Sequence, residues 1–128
     1  MVVLFAVSIA LSKRASAARR AAAATVDLSV DGWGVKRWLA DGRYEEVSWE
    51  ELKEVRCVTL PRGPWESRLR FVLDGGGERG CIIAGDLAES SGLVERLGGL
   101  PGFDHRELAT VLDGTKLGTR VLWARTTT

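Results

Sequence analysis

The amino-acid sequence predicts an α+β fold whose strands are mostly antiparallel. Residues 26–30 alternate between apolar and polar side chains, the pattern of a strand with one buried and one solvated face. The turn dipeptides Asp31-Gly32 and Asp41-Gly42 follow short strand-like runs, so successive strands are expected to pair as hairpins. Helical spacing of apolar residues is confined to the C-terminal part. Together these features favour a curved sheet of five to seven strands with short helices.

Each predicted strand or helix has its own signal. Ser48-Trp49-Glu50-Glu51 matches a capping box and predicts a short helix over residues 49–53, after the third strand. The run 68–73 alternates and places Arg68 and Arg70 on its polar face, and Gly75-Gly76-Gly77 is expected at the tip of a hairpin. Strands are therefore predicted at 26–30, 35–39, 43–47, 55–60, 68–73, 80–84 and 119–124.

Two short helices are predicted before the last strand. The first begins at Asp86, in an acidic variant of the capping box, and ends at Gly98-Gly99. The second begins at Asp104 and ends at Asp113-Gly114. Leu and Val residues recur at helical spacing in both segments, so each helix is expected to bury one face.

The charge of the chain is unevenly distributed. Residues 1–26 hold four basic residues and no acid, whereas residues 27–128 carry a net charge of −3, although the whole chain carries +1. We divide the chain into an apolar and basic extension over residues 1–25, one α+β domain over 26–125 and a frayed tail over 126–128. The extension is expected to be helical and rich in alanine.

The extension has three open interpretations. The apolar run 2–11 is about half as long as a membrane-spanning helix needs. It fits a signal peptide cleaved after Ala15-Ser16-Ala17, which would export the protein. It also fits a short anchor over residues 2–20, with basic residues at the lipid surface, or a plain helical extension of a cytoplasmic protein. The membrane-proximal candidates are Lys13, Arg14, Arg19 and Arg20.

The sequence offers no convincing catalytic constellation, so we expect a protein that is not an enzyme. If it were one, His105, Asp104 and Cys81 would be the residues to test first. Cys57 and Cys81 follow no zinc-binding spacing, and they are either two buried core residues or a cross-strand disulfide. No cofactor and no metal site is predicted, and the five acids between residues 45 and 54 are interpreted as a solvated face and a cap.

The five tryptophans are the unusual part of the composition. Most are expected to fill the core, with the indole N–H near an acceptor. Trp65 differs, because it follows the proline-containing segment 61–64, which cannot join a strand ladder. Tryptophan and arginine on a stiff loop are typical anchors of protein interfaces, so we expect a contact surface formed by Trp65, Arg62, Arg68 and Arg70. The acidic charge of the domain argues against a nucleic-acid partner.

Several strings occur in a specific order along residues 26–125. They are VSWEEL, GPW, FVL, GC, LPGFD and LWAR. In this order they resemble a group of small bacterial proteins for which no activity can be carried over. That resemblance implies a bacterial origin and leaves the extension uncovered. The order of strands followed by a helix also looks like bacterial domains of the pleckstrin-homology type, which is an analogy of fold alone.

These observations favour a non-catalytic binding or protein-interaction module, with another protein as the expected partner. Two alternatives remain open. One is an accessory protein tethered to the membrane by residues 2–20, and the other is an immunity-type protein that binds a partner toxin.

Overall fold

The computed structural model describes residues 25–61, 68–113 and 117–126. Predictions for the extension and its four basic residues lie outside these ranges. The described strands are β1 (Thr25–Val30), β2 (Gly34–Leu39), β3 (Tyr44–Ser48), β4 (Glu54–Thr59), β5 (Leu69–Gly76), β6 (Arg79–Ala84) and β7 (Gly118–Ala124). The helices are α1 (Gly85–Ser90), α2 (Leu93–Gly98) and α3 (His105–Leu112). The α+β class is confirmed, and the predicted strands are found within three residues of their expected bounds.

The strands form two antiparallel sheets, so the expectation of one continuous sheet is wrong. The first sheet has the order β1-β2-β3, and the second has the order β6-β5-β4-β7. Strands β3 and β6 lie against each other but, in the described ranges, are not joined by a backbone ladder. A side chain closes this seam instead, because Oε1 of Glu45 accepts a hydrogen bond from the Ile82 amide at 3.1 Å.

Irregularities in two edge strands change which side chains are buried. The pairing of β1 with β2 shifts between Thr25 and Asp27, and Val26 is 65% exposed. The sequence alternation predicts Val26 on the buried face, which is wrong because the irregularity reverses its direction. In β7, the pairing with β4 shifts next to Leu122, so Leu122 and Trp123 are both buried although they are consecutive.

The predicted helix over residues 49–53 is a single turn. The capping box itself is confirmed, since the Ser48 amide donates to Glu51 Oε1 at 3.0 Å and the Glu51 amide donates to Ser48 Oγ at 3.1 Å. One helical bond follows, from the Leu52 amide to the Ser48 carbonyl. The Lys53 amide then donates to the Asp74 carbonyl, which returns the chain to the sheet and ends the turn.

Three short helices occupy the place of the two that the sequence predicts. Gly92 lies between α1 and α2 with φ at +83°, a left-handed conformation that interrupts a helix and favours glycine. The predicted first helix is therefore divided in two. The predicted cap of α3 is confirmed, because Asp104 Oδ1 accepts a hydrogen bond from the Glu107 amide at 2.9 Å.

The core lies between the two sheets and under the helices. Its buried apolar residues include Val35, Val47, Leu52, Val55, Cys57, Phe71, Leu73, Cys81, Ile83, Leu93, Leu97 and Leu122. Cys57 and Cys81 are free thiols, and strand β5 lies between their strands. Because neighbouring strands are about 4.8 Å apart, two cysteines separated by a strand lie beyond the roughly 7 Å limit for a disulfide.

Candidate functional site

The outer face of the three-stranded sheet carries a row of aromatic side chains. Along β2, Val35, Arg37 and Leu39 are buried, while Lys36 and Trp38 are half-buried and point to the opposite face. Tyr44 pairs with Trp38 across the strands, and Trp33 lies in the turn before β2. We call Trp33, Lys36, Trp38 and Tyr44 the aromatic stripe.

Trp38 and Tyr44 form one end of the stripe. Their ring centroids are 6.3 Å apart and their planes differ by 23°, which is a stacked arrangement. The turn around Gly42, whose φ is +91°, sets the register that places these two residues opposite each other. Tyr44 remains 54% exposed, so the stacked pair offers aromatic surface to solvent.

Trp33 and Lys36 form the other end. The Lys36 ammonium lies 5.0 Å from the Trp33 ring centroid, and Trp33 is 45% exposed. Asp31 holds the turn, because its Oδ1 accepts hydrogen bonds from the Trp33 amide at 2.9 Å and the Gly34 amide at 3.2 Å. These bonds, the one from Trp33 first, lower the pKa of Asp31 below its usual value.

Gly34 allows this turn to lie close to β3. A Cβ atom at residue 34 would come within 2.2 Å of the Val47 carbonyl oxygen, which no side chain can do without moving the backbone. The Trp49 amide donates to the Trp33 carbonyl at 3.0 Å, so the turn is fixed from both sides. The backbone of Trp33 is therefore held in place while its ring stays exposed.

Two other tryptophans are used differently. The Trp49 indole N–H donates to the Asp31 carbonyl at 2.7 Å, and that of Trp123 donates to the Pro101 carbonyl at 2.8 Å. Each ring also lies under an arginine: Arg96 is 5.2 Å from Trp49 and Arg125 is 5.4 Å from Trp123. Within the described ranges, the indoles of Trp33 and Trp38 have no such hydrogen bond.

The inner face of the same sheet holds a buried ion pair. Arg37 is 1% exposed, and its guanidinium lies 2.8 Å from Glu45 Oε1. The Arg37 Nη1 also donates to Thr25 Oγ1 at 2.8 Å. Because removing one partner would leave an uncompensated buried charge, this pair fixes the register of β2 and β3 and supports the stripe from behind.

A shallow concavity of about 360 Å³ lies near Trp49. It is lined by Val30, Ser91, Gly92, Glu95 and Arg96. The concavity is open to solvent, and Arg96 already covers the Trp49 ring. It contributes one acid and one base to the surface beside the Asp31 turn.

Of the contact surface predicted around Trp65, the described residues include only Arg68 and Arg70. Trp65 and Arg62 lie outside the described residues. Arg68 is half-buried and donates to the Leu60 carbonyl at 3.0 Å. Arg70 is fully buried, so the prediction that it points to an exposed polar face is wrong. Burial lowers the pKa of Arg70, and α1 packs against its strand where solvent was expected.

The three residues named for a catalytic test differ in their surroundings. His105 is exposed at the start of α3 and packs edge-on against Phe103 at 5.0 Å. The Asp104 carboxylate caps that helix. Cys81 is buried in the core, and burial raises the pKa of its thiol, while the pKa of Cys57 rises to about 12 for the same reason. Both thiols therefore stay protonated, in the form that is not nucleophilic.

The acidic cluster is less solvated than predicted. Glu51 is confirmed as part of the cap. The Arg79 guanidinium donates hydrogen bonds to both carboxylate oxygens of Glu51 and, at 2.9 Å, to the carboxylate of Glu46. The Arg79 hydrogen bond is the main reason why the pKa of Glu51 falls to about 2. Glu54 pairs with Arg56. Within the described ranges, these acids do not form a group that could hold a metal ion.

No protein-family model, curated protein or solved structure matches this chain. The described helices are all too short, or too polar, to cross a bilayer.

The stripe could have been recognised partly from the sequence. Because side chains alternate along a strand, Lys36 and Trp38 are expected on one face of β2, and Val35 and Leu39 on the other. This alternation places Trp38 on the outer face and Arg37 on the inner face, although tryptophan is usually buried and arginine is usually exposed. Which tryptophans leave their indole N–H free depends on loop contacts, for which the sequence carries no local signal.

Proposed function

We propose that this protein is a non-catalytic protein-interaction module and that the aromatic stripe is its binding surface. The observation that carries the proposal is the pair of tryptophans whose rings lie on an exposed sheet face while their backbone is held in a defined turn and strand. Tryptophan and tyrosine supply large contact area with few rotatable bonds, so they bind partners at a low entropic cost.

Rigid support strengthens this proposal. Three features fix the backbone that carries the stripe. They are the hydrogen-bonded turn at Asp31, the close approach of Gly34 to Val47 and the ion pair between Arg37 and Glu45. A surface that is already ordered before binding loses less conformational entropy when a partner arrives.

The local charge favours a protein over a nucleic acid. Lys36 pairs in register with Glu46, and Arg43 lies 2.7 Å from Asp41. Binding of nucleic acid depends on an excess of positive charge along the binding groove. Such an excess is not present among the described charges beside the stripe.

The proposal is tested by photo-crosslinking in the cells that produce the protein. A photoreactive amino acid replaces Arg43, whose side chain is 58% exposed beside Tyr44, in the otherwise intact chain. We expect a discrete crosslinked protein band that disappears when Trp33→Ala is added. Because the hydrogen bonds that hold the backbone of Trp33 do not involve its ring, this variant should fold normally, which circular dichroism checks.

Val121 is the matched control. It is 47% exposed on β7, in the other sheet, and is not part of the stripe. A crosslinker at Val121 should not give the same band. Identical bands from both positions, a band that survives Trp33→Ala, or the failure of Arg43 to give any band would each contradict the proposal.

A further inference from the structure

The stripe offers a ligand two kinds of contact. The rings of Trp33, Trp38 and Tyr44 provide flat apolar surface. The two indole N–H groups and the Tyr44 hydroxyl are hydrogen-bond donors, and none of them is used by another described residue. A matching ligand therefore combines compact apolar rings with free carbonyl acceptors.

A polyproline II segment has both properties. Its backbone forms no internal hydrogen bonds, so its carbonyl oxygens are free to accept, and its proline rings are compact and apolar. It is also extended before binding, which reduces the entropy lost on association. A helix, by contrast, would arrive with most of its carbonyls already paired.

The charges beside the stripe also fit such a ligand. Each of three basic residues lies close to a carboxylate. Lys36 pairs in register with Glu46, Arg43 forms an ion pair with Asp41, and Arg79 forms an ion pair with Glu51. The opposite charges compensate each other at short range, so the stripe carries little net field. A proline-rich segment, which is itself uncharged, meets no electrostatic penalty there.

The length of the stripe is suitable as well. From Gly34, next to Trp33, to Trp38, strand β2 extends about 13 Å at the usual rise of a strand. A polyproline II helix rises about 3.1 Å per residue and repeats its face every three residues. Four to five residues therefore cover the stripe, and within that length the prolines that share a face are three residues, or about 9.3 Å, apart.

We infer that the aromatic stripe binds a proline-rich segment of a partner protein in the polyproline II conformation. This inference rests on the proposed function and names the partner's chemistry. Trp33 with Lys36 receives one ring, and the stacked Trp38–Tyr44 pair receives another. The indole N–H groups and the Tyr44 hydroxyl donate to carbonyls of the segment.

The test is an NMR titration of the full chain with octaproline. We expect the indole N–H signals of Trp33 and Trp38 to shift, while those of Trp49 and Trp123, already bonded inside the protein, stay in place. A glycine-serine octapeptide is the matched ligand control and should shift neither pair. Shifts in all four of these indole signals, or in none of them, would overturn the inference.

Variants separate the ring from the donor. Trp33→Ala and Tyr44→Ala should each weaken octaproline binding more than tenfold, whereas Val121→Ala should leave it unchanged. Trp38→Phe keeps an aromatic ring and loses only the N–H, so it should weaken binding about fivefold, the loss expected for one hydrogen bond. An unchanged affinity in Trp38→Phe would contradict the role given to the indole donors.

Two other ligands distinguish the alternatives. A cello-oligosaccharide and oligothymidylate are titrated in the same way, since sugars and bases also stack on aromatic rings. If either shifts the stripe signals and octaproline does not, the inference is wrong. If the Arg43 crosslink captures a partner protein without a proline-rich segment, the inference fails while the proposed function survives.

Discussion

The two pairs of tryptophans show how one residue type serves two purposes in a small domain. Trp49 and Trp123 donate their indole N–H to backbone carbonyls and lie under arginines. In the described ranges, the indole N–H groups of Trp33 and Trp38 have no hydrogen-bond partner; Trp33 lies in the turn before β2, and Trp38 lies on the outer sheet face. The first pair ties neighbouring turns and strands together, and the second pair adds partly exposed aromatic surface to the three-stranded sheet.

The basic side chains that lie over these rings also differ, since among the described residues Arg125 is hydrogen-bonded to the backbone whereas Lys36 is not. Arg125 also donates to the Leu52 and Trp49 carbonyls, at 2.9 Å each, so it is tied to the capping-box turn. Lys36, over Trp33, is a flexible point charge with several rotatable bonds. Within the described ranges, the lysine ammonium can move away from Trp33 without breaking a hydrogen bond or an ion pair.

The largest expected effect comes from removing a ring of the first pair. Trp123 is 6% exposed, so Trp123→Ala should lower the free energy of unfolding by about 3–5 kcal/mol through the lost packing and the cavity that remains. Urea denaturation followed by circular dichroism measures this loss. A loss below about 1 kcal/mol would mean that the two pairs do not differ in the way described.

Arg125→Ala should have the next largest effect. It removes two hydrogen bonds to backbone carbonyls at the capping-box turn, and we expect a loss of about 1–2 kcal/mol. Arg96→Ala is the control, because the Arg96 side chain lies over Trp49 without a hydrogen bond to the other described residues, and its loss should cost about 0.5 kcal/mol. Equal losses in the two variants would contradict the importance of the backbone contacts.

Acid should weaken the turn that carries Trp49. The pKa of Glu51 falls from 4.5 to about 2 on folding, so its stabilising effect is complete above about pH 5 and is lost as the pH falls towards 2. Glu51→Gln keeps the shape and removes the charge. Its melting temperature should lie below that of the unmodified protein at pH 7, and the difference should shrink on acidification.

Glu50→Gln is the control for that pH series. Glu50 is exposed on the same turn and forms no ion pair with the other described residues. Its substitution should leave the pH dependence of the melting temperature unchanged. A difference between Glu51→Gln and the unmodified protein that is as large at pH 2 as at pH 7 would show that the charge is not what stabilises the turn.

The smallest effect is expected at the stripe. Trp33→Ala and Tyr44→Ala remove exposed rings whose backbones stay bonded, so each should change the free energy of unfolding by less than about 0.5 kcal/mol. Chemical denaturation of the two variants measures this. A loss above about 1 kcal/mol would assign Trp33 to the structural pair and weaken the case for a binding surface.

The sequence predicts strands well here because alternation and turn dipeptides act locally. The hairpin around Gly42 and the capping box at Ser48 need only neighbouring residues, and both are found. The direction of Val26 and the burial of Arg70 depend on a register shift and on a packed helix. Those are contacts between distant parts of the chain, which local patterns do not contain.

The candidate site shows the same division. The alternation of side chains along β2 predicts that Lys36 and Trp38 face outward. The stacking of Trp38 on Tyr44 additionally needs the register of the hairpin. The use of the Trp49 indole by the Asp31 carbonyl joins residues 18 positions apart, and only the folded chain reveals it.

The bond from the Ile82 amide to Glu45 has a consequence for how the molecule comes apart. Between β3 and β6 a carboxylate stands where a neighbouring strand would supply a carbonyl, and the same oxygen serves Arg37. In the described ranges, the two sheets can therefore separate without breaking a strand pair. Amide protons along this boundary should exchange with solvent through partial opening, well before the hairpins on either side unfold.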